Sequence, residues 1–236
     1  MLPTSQRFQF FDSVRGFALI LMTIYYFCWD LNYFGVLNYE MDQNPFWVAF
    51  RAAVLSMFLL LVGMNFTFSG AHFDNIKYRI RLKKLGICAF VVSFITFLMN
   101  RETWIYFGIL HLAFCASLIA PFLIHHPKTA AAIGLIISAI PNFYSSLWFD
   151  KPVRNIAGLS PYRPSTEDFV PLMPWLGVVL IGIAAGHWVL KRQKTFAQKK
   201  DIPALSRLGR HSLIFYMTHQ LILFPIAWVV SRFILD

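Results

Sequence analysis

An all-α fold, a polytopic transmembrane bundle of about seven spanning helices with a cytoplasmic N-terminus, is what this sequence predicts. Three observations predict it: a composition too apolar for a water-exposed surface, seven apolar runs of crossing length, and an uneven distribution of basic residues between connections. Of 236 residues, 58% are hydrophobic and 14% charged, and the mean hydropathy is +0.58. Soluble domains carry about 25% charged residues, so a globule of this size could not cover itself. The same figures exclude a disordered or collagen-like chain. Cys28, Cys88 and Cys115 sit inside apolar runs without paired spacing, so neither a disulfide framework nor a metal site is expected. The net charge of +10 would suit a nucleic-acid partner in a soluble protein. Here membrane topology accounts for it, membrane lipids are the expected surroundings, and no nucleic-acid partner is expected.

A helix needs about 20 residues to cross a hydrocarbon core of roughly 30 Å. Seven segments of one domain (1–236) reach that length with help from aromatic flanks: 14–34, 46–68, 85–100, 104–124, 129–149, 172–190 and 212–234. The third and fifth are the weakest. The fifth holds Pro141 and Asn142 and is expected to kink or end early, with six crossings and a re-entrant segment as the alternative.

The basic residues provide an independent check. With the N-terminus inside, Arg7, Arg15, Lys77, Arg79, Arg81, Lys83, Lys84, Lys128, Lys191, Arg192, Lys194, Lys199, Lys200, Arg207 and Arg210 fall on the cytoplasmic side, 15 of the 21. Arg51, Arg101, Lys151, Arg154, Arg163 and Arg232 fall outside. The two richest clusters share a side only if an even number of crossings separates them, and seven spans place four there. The first segment ends YYFCWDLNYFG, bulky and aromatic rather than small, so it reads as an uncleaved span and not a signal peptide. The stretch 150–171 carries four prolines and is expected to form an extended external loop over the bundle mouth.

Ionisable groups within or flanking spans are costly unless paired or hydrated, so they are where chemistry is sought. In the first span Asp12 and Arg15 stand one turn apart, and Asp30 follows Asp12 by 18 residues, five full turns and hence the same face. Tyr26 lies near that line. One stripe roughly 27 Å long thus carries an acid–base pair at the inner edge, a phenol in the middle and a carboxylate at the outer edge. A local Asp12–Arg15 anchor and a capped or hydrated Asp30 are the plain structural alternatives. His111, in FGILHLAF, is placed about two turns into the fourth span. An imidazole there serves either as a packing residue or as a general base.

The last span opens LGRHSLIFYMTHQ, in which Ser212, Tyr216 and His219 follow i, i+4, i+7 and share a face. With Arg210 and His211 at its entry, this helix start could hold a phosphate, or it is a capped start with basic residues placed by topology. Asp168 precedes the sixth span, whose Gly177, Gly182, Ala184, Ala185 and Gly186 permit close helix packing.

Four blocks in order, FDSVRGFALILMTIYYFCWDLNYFG, WIYFGILHLAF, DFVPLMPWLGVVLIGI and LGRHSLIFYMTHQ, resemble the short bacterial relatives of heparan-alpha-glucosaminide N-acetyltransferase from about residue 7 to 224. The resemblance implies a bacterial inner-membrane bundle, able to dimerise, that passes an acetyl group from cytosolic acetyl-CoA to an amino sugar or similar acceptor, which could be lipid-linked. Tyr26 stands where many short relatives have a His, and no His occurs from Asp30 to Trp47, so the family's loop His has no counterpart there. The assignment that follows puts acetyl-CoA phosphates near Arg15, Arg210 and His211, with Asp12, Ser212, Tyr216 and His219 completing the donor site. It makes His111 the base, with Asp30 or Asp168 orienting it and Tyr26 lining a shared tunnel. A carrier or flippase, or an accessory subunit on the same fold, is the alternative.

Overall fold

In the computed structural model residues 8–166, 168–198 and 200–235 are described, so Arg7 and Lys199 of the cytoplasmic set lie outside the described residues. Among them every regular element is helical: α1 Gln9–Tyr33, α2 Pro45–Ser69, α3 Ile76–Met99, α4 Ile109–Leu123, α5 Pro127–Phe143, α6 Leu172–Lys191, α7 Gln193–Ala197, α8 Pro203–Arg210 and α9 Ser212–Leu235. Five of them (α1, α2, α3, α6 and α9) are long and apolar enough to cross a membrane.

Three helix boundaries depart from expectation, each for a local reason. The α3 helix starts nine residues before position 85, because the Asn75 side chain accepts from the Lys77 amide at 3.0 Å and caps a helix that already carries the basic cluster. This weak candidate is therefore a helix of 24 residues. The fourth segment loses its first turn, since 104–108 is non-helical and α4 has 15 residues. The fifth ends at Phe143, two residues after Pro141, leaving 17 residues; a proline removes a helical hydrogen bond and crowds the preceding turn. Both α4 and α5 are shorter than the roughly 20 residues a perpendicular crossing needs.

The described residues form two compact units: a central one, 59–193, and a terminal one, 8–58 with 194–235. In the central unit α6 approaches its neighbours through glycine. A Cβ on Gly177 would collide with the Gly134 carbonyl and Ser138 of α5, one on Gly182 would lie 2.5 Å from the Leu60 carbonyl of α2, and one on Gly186 would lie 2.9 Å from Thr67. Such backbone proximity supplies the dispersion that holds helices together where lipid removes the hydrophobic drive. The Thr67 hydroxyl donates to the Ile183 carbonyl at 3.0 Å, and the Tyr78 hydroxyl donates to the Ser117 carbonyl, tying α3 to α4.

In the terminal unit α1 packs on α8 and α9. A Cβ on Gly16 would strike the Leu205 carbonyl, and one on Gly209 the Asp12 carbonyl. Ser13 Oγ accepts from the Ile202 amide at 3.0 Å. Further along, Leu19, Met22 and Val54 form a buried cluster against Tyr26, Phe50, Phe215 and Tyr216. The face of α1 that bears Asp12, Tyr26 and Asp30 is thus the face covered by α8 and α9.

Candidate functional site

The eleven candidate residues divide between the units. His111 and Asp168 belong to the central unit; Asp12, Arg15, Tyr26, Asp30, Arg210, His211, Ser212, Tyr216 and His219 belong to the terminal unit.

In the central unit His111 is the third residue of α4 rather than two turns inside it. The Gly108 amide donates to Nδ1 at 3.1 Å, which requires a lone pair on that nitrogen. The ring is therefore neutral, with its proton on Nε2, and Nε2–H donates to Ser93 Oγ at 3.0 Å. Ser93 in turn donates to the Ile105 carbonyl at 2.7 Å. Both nitrogens are spent on closing the start of α4 in the manner of a capping box. The role of base cannot be exercised in this geometry without giving up the Gly108 amide.

Asp168 lies at the same helix start. Its carboxylate reaches the Ile109 amide at 3.5 Å, and a Cβ on Gly108 would lie 2.7 Å from Oδ2. A carboxylate at a helix N-terminus offsets the partial positive charge of the unpaired amides. The proline-rich loop is pinned there by Thr166 Oγ1 donating to the Trp104 carbonyl at 3.0 Å, the Val170 amide to the Phe107 carbonyl at 3.1 Å, and Tyr106 to buried Asn155 at 2.9 Å. It lies against the start of α4. His111→Ala should lower stability by about 1–3 kcal/mol by orphaning the Gly108 amide. His111→Asn, which retains an acceptor at the same reach, should recover about half; thermal unfolding in detergent measures both.

The terminal unit holds a different constellation. Asp30 is 2% exposed and His219 8%. His219 Nδ1 lies 2.7 Å from the Tyr216 carbonyl. A carbonyl accepts only, so Nδ1 carries a proton, and the lone pair of the ring in its neutral form is on Nε2. Tyr26 sets its ring against His219 at 5.1 Å, and Phe215 stacks on it at 6.2 Å. One turn on from Tyr26, Asp30 Oδ1 accepts from Gln220 Nε2 at 2.7 Å. Gln220 is the ninth residue of α9, so about 22 Å of helix lies beyond it. Asp30, in the last turn of α1, therefore meets α9 at that helix's ninth residue.

At the start of α1, Arg15 pairs with buried Asp12 at 3.2 Å. Gly209 abuts the Asp12 carbonyl, which brings the next residue, Arg210, to the same end of α1. Arg207, Arg210 and His211 are exposed, and Ser212 begins α9. Three exposed or half-buried guanidiniums on one helix entry suit a polyanion. Among the described residues, no three His, Cys, Asp or Glu side chains assemble as metal ligands.

Compared with known families, residues 7–221 match the model described as heparan-alpha-glucosaminide N-acetyltransferase, catalytic. The chain belongs to that family. It is a membrane acetyltransferase-like protein, and its five long apolar helices agree with integral membrane placement. No curated protein matches it, and no solved structure does.

Residue-by-residue reading of this acetyltransferase-family chain missed Gln220 and Ser93. Gln220 is an amide in an apolar helix, which is itself a signal of an interhelical bond. Its partner Asp30 lies 190 positions away, so no local spacing could join them. Ser93 is a small residue in an apolar run, and its partner His111 lies 18 positions away.

Proposed function

We propose that this protein is an acetyltransferase of the bacterial cytoplasmic membrane, taking acetyl groups from acetyl-CoA and passing them to an amine-bearing acceptor such as an amino sugar, with His219 as general base. The observation that carries this reading is the Nδ1 bond of His219 to the Tyr216 carbonyl, which leaves the basic lone pair on Nε2 of a buried ring. The donor's phosphates would meet Arg15, Arg207, Arg210 and His211, whose charge and exposure fit them. From Ser212, at that entry, to His219 is seven residues of helix, about 10 Å, a distance an extended thioester arm can bridge.

In the reaction, His219 Nε2 takes the proton lost by the acceptor nitrogen as its bond to the acetyl carbon forms. The carbon–sulfur bond breaks, and the imidazolium returns that proton to the departing sulfur, giving an N-acetyl product and free CoA thiol. Tyr26 and Phe215 hold the ring by its edge and face and so orient it.

Thermal unfolding with acetyl-CoA and with desulfo-CoA, together with CoA-thiol release in the presence of glucosamine, tests the reading. Both donors should raise the unfolding temperature, and Arg210→Ala should weaken donor binding at least fivefold, an effect that shrinks as salt rises. A protein neither stabilised by these compounds nor able to release thiol does not carry this function.

A further inference from the structure

With Asp30 ionised, Gln220 holds its side-chain amide in one orientation. With Nε2 donating to Asp30 Oδ1 at 2.7 Å, a flipped amide would set oxygen against a carboxylate oxygen at that distance, which repulsion forbids. The carbonyl oxygen is consequently aimed away from Asp30. It is buried and accepts no hydrogen bond from the described residues, although a carbonyl left so inside a protein is costly.

Its neighbourhood says what would satisfy it. Asp30 follows Tyr26 by four residues, so the Gln220–Asp30 pair sits about 6 Å along α1 from the Tyr26–His219 pair. Gln220 directly follows His219 on α9, so a group bonded to its oxygen lies one residue along that helix from the imidazole. Oε1 takes only donors, and the adjacent carboxylate favours a positively charged or donor-rich partner. An amine meets both requirements, because it offers several N–H donors to a site made of acceptors.

We propose that Gln220 is an acceptor-binding residue: its Oε1 accepts an N–H of the amine to be acetylated, and Asp30 locks the amide that presents it. The identity of the reacting amine rests on the acyl-transfer reading above; the binding contact does not. Asp30 therefore acts through Gln220, as a positioning residue.

The test uses the full chain in detergent with glucosamine as probe. Gln220→Met keeps an unbranched side chain of similar length and removes the amide. Glucosamine should stabilise the wild type against heat and fail to stabilise Gln220→Met. In initial-rate measurements the KM for glucosamine should rise at least tenfold, while the KM for acetyl-CoA stays within twofold. Gln220→Asn, which keeps an amide but withdraws it by one methylene from Asp30, should show the same split and covers the case in which the Met variant folds poorly. Equal stabilisation of wild type and variants by glucosamine overturns the proposal, as does a parallel rise in both KM values or a wild type that does not bind glucosamine. If the wild type binds glucosamine but transfers no acetyl group, the acyl-transfer reading falls, and the binding comparison still decides the role of Gln220.

Discussion

His219→Asn is expected to lower the rate of acetyl transfer to glucosamine by about 10²–10⁴-fold, the range that general base catalysis contributes. Asparagine keeps a donor where Nδ1–H now meets the Tyr216 carbonyl at 2.7 Å, so the local fold of α9 is preserved while the lone pair at Nε2 is lost. Donor affinity, set at the helix entry, should change by less than threefold. The corresponding change at His111 should behave in the opposite way. His111→Asn keeps the acceptor for the Gly108 amide and should reduce transfer by less than tenfold, with its effect seen in the unfolding temperature. CoA-thiol release measured on the two variants side by side decides the matter. A larger loss at His111 than at His219 would return the base to the central unit and remove the chemical role assigned to α9.

The second large effect concerns folding. Gly209→Ala is expected to abolish recovery of monodisperse protein or to lower stability by about 3 kcal/mol, at the upper end for overpacking. The added methyl would collide with the Asp12 carbonyl, and a helix backbone cannot turn aside as a side chain can. Because Arg210 follows directly and Arg15 pairs with Asp12, any protein that does fold should also bind acetyl-CoA more weakly. Gly86→Ala provides the contrast. Its Cβ would lie 3.1 Å from the edge of the Phe114 ring, which can shift by a few tenths of an ångström, so less than 1 kcal/mol should be lost. Size-exclusion profiles and thermal unfolding of the two variants measure the difference. Similar behaviour in both would mean that the α1–α8 crossing is looser than its glycines imply.

How far the site was legible follows from particular residues. The stripe on α1 was readable because helical periodicity alone places Asp12, Tyr26 and Asp30 on one face, and that face is the one α8 and α9 cover. That Tyr216 and His219 share a face was readable for the same reason, and their rings lie 5.6 Å apart. His111 was misplaced because the start of α4 depends on a hydrogen bond from Gly108 and a carboxylate from Asp168, 60 residues downstream. A hydropathy window sees only that 104–108 is apolar. Gln220 went unnoticed since its meaning lies in Asp30, which only the crossing of α1 and α9 supplies.

Taken by itself, the order of residues determined that this chain is helical, that it belongs in lipid, which helix faces carry its polar groups, and which family it resembles. These follow from composition and from a 3.6-residue period, both properties of neighbouring positions. Only the tertiary structure decided where helices begin and end, that Asp30 meets Gln220 of α9, and which histidine closes a helix start and which puts its Nδ1 proton on a carbonyl. A tautomer is set by the partner of the other ring nitrogen, and that partner can stand anywhere in the chain.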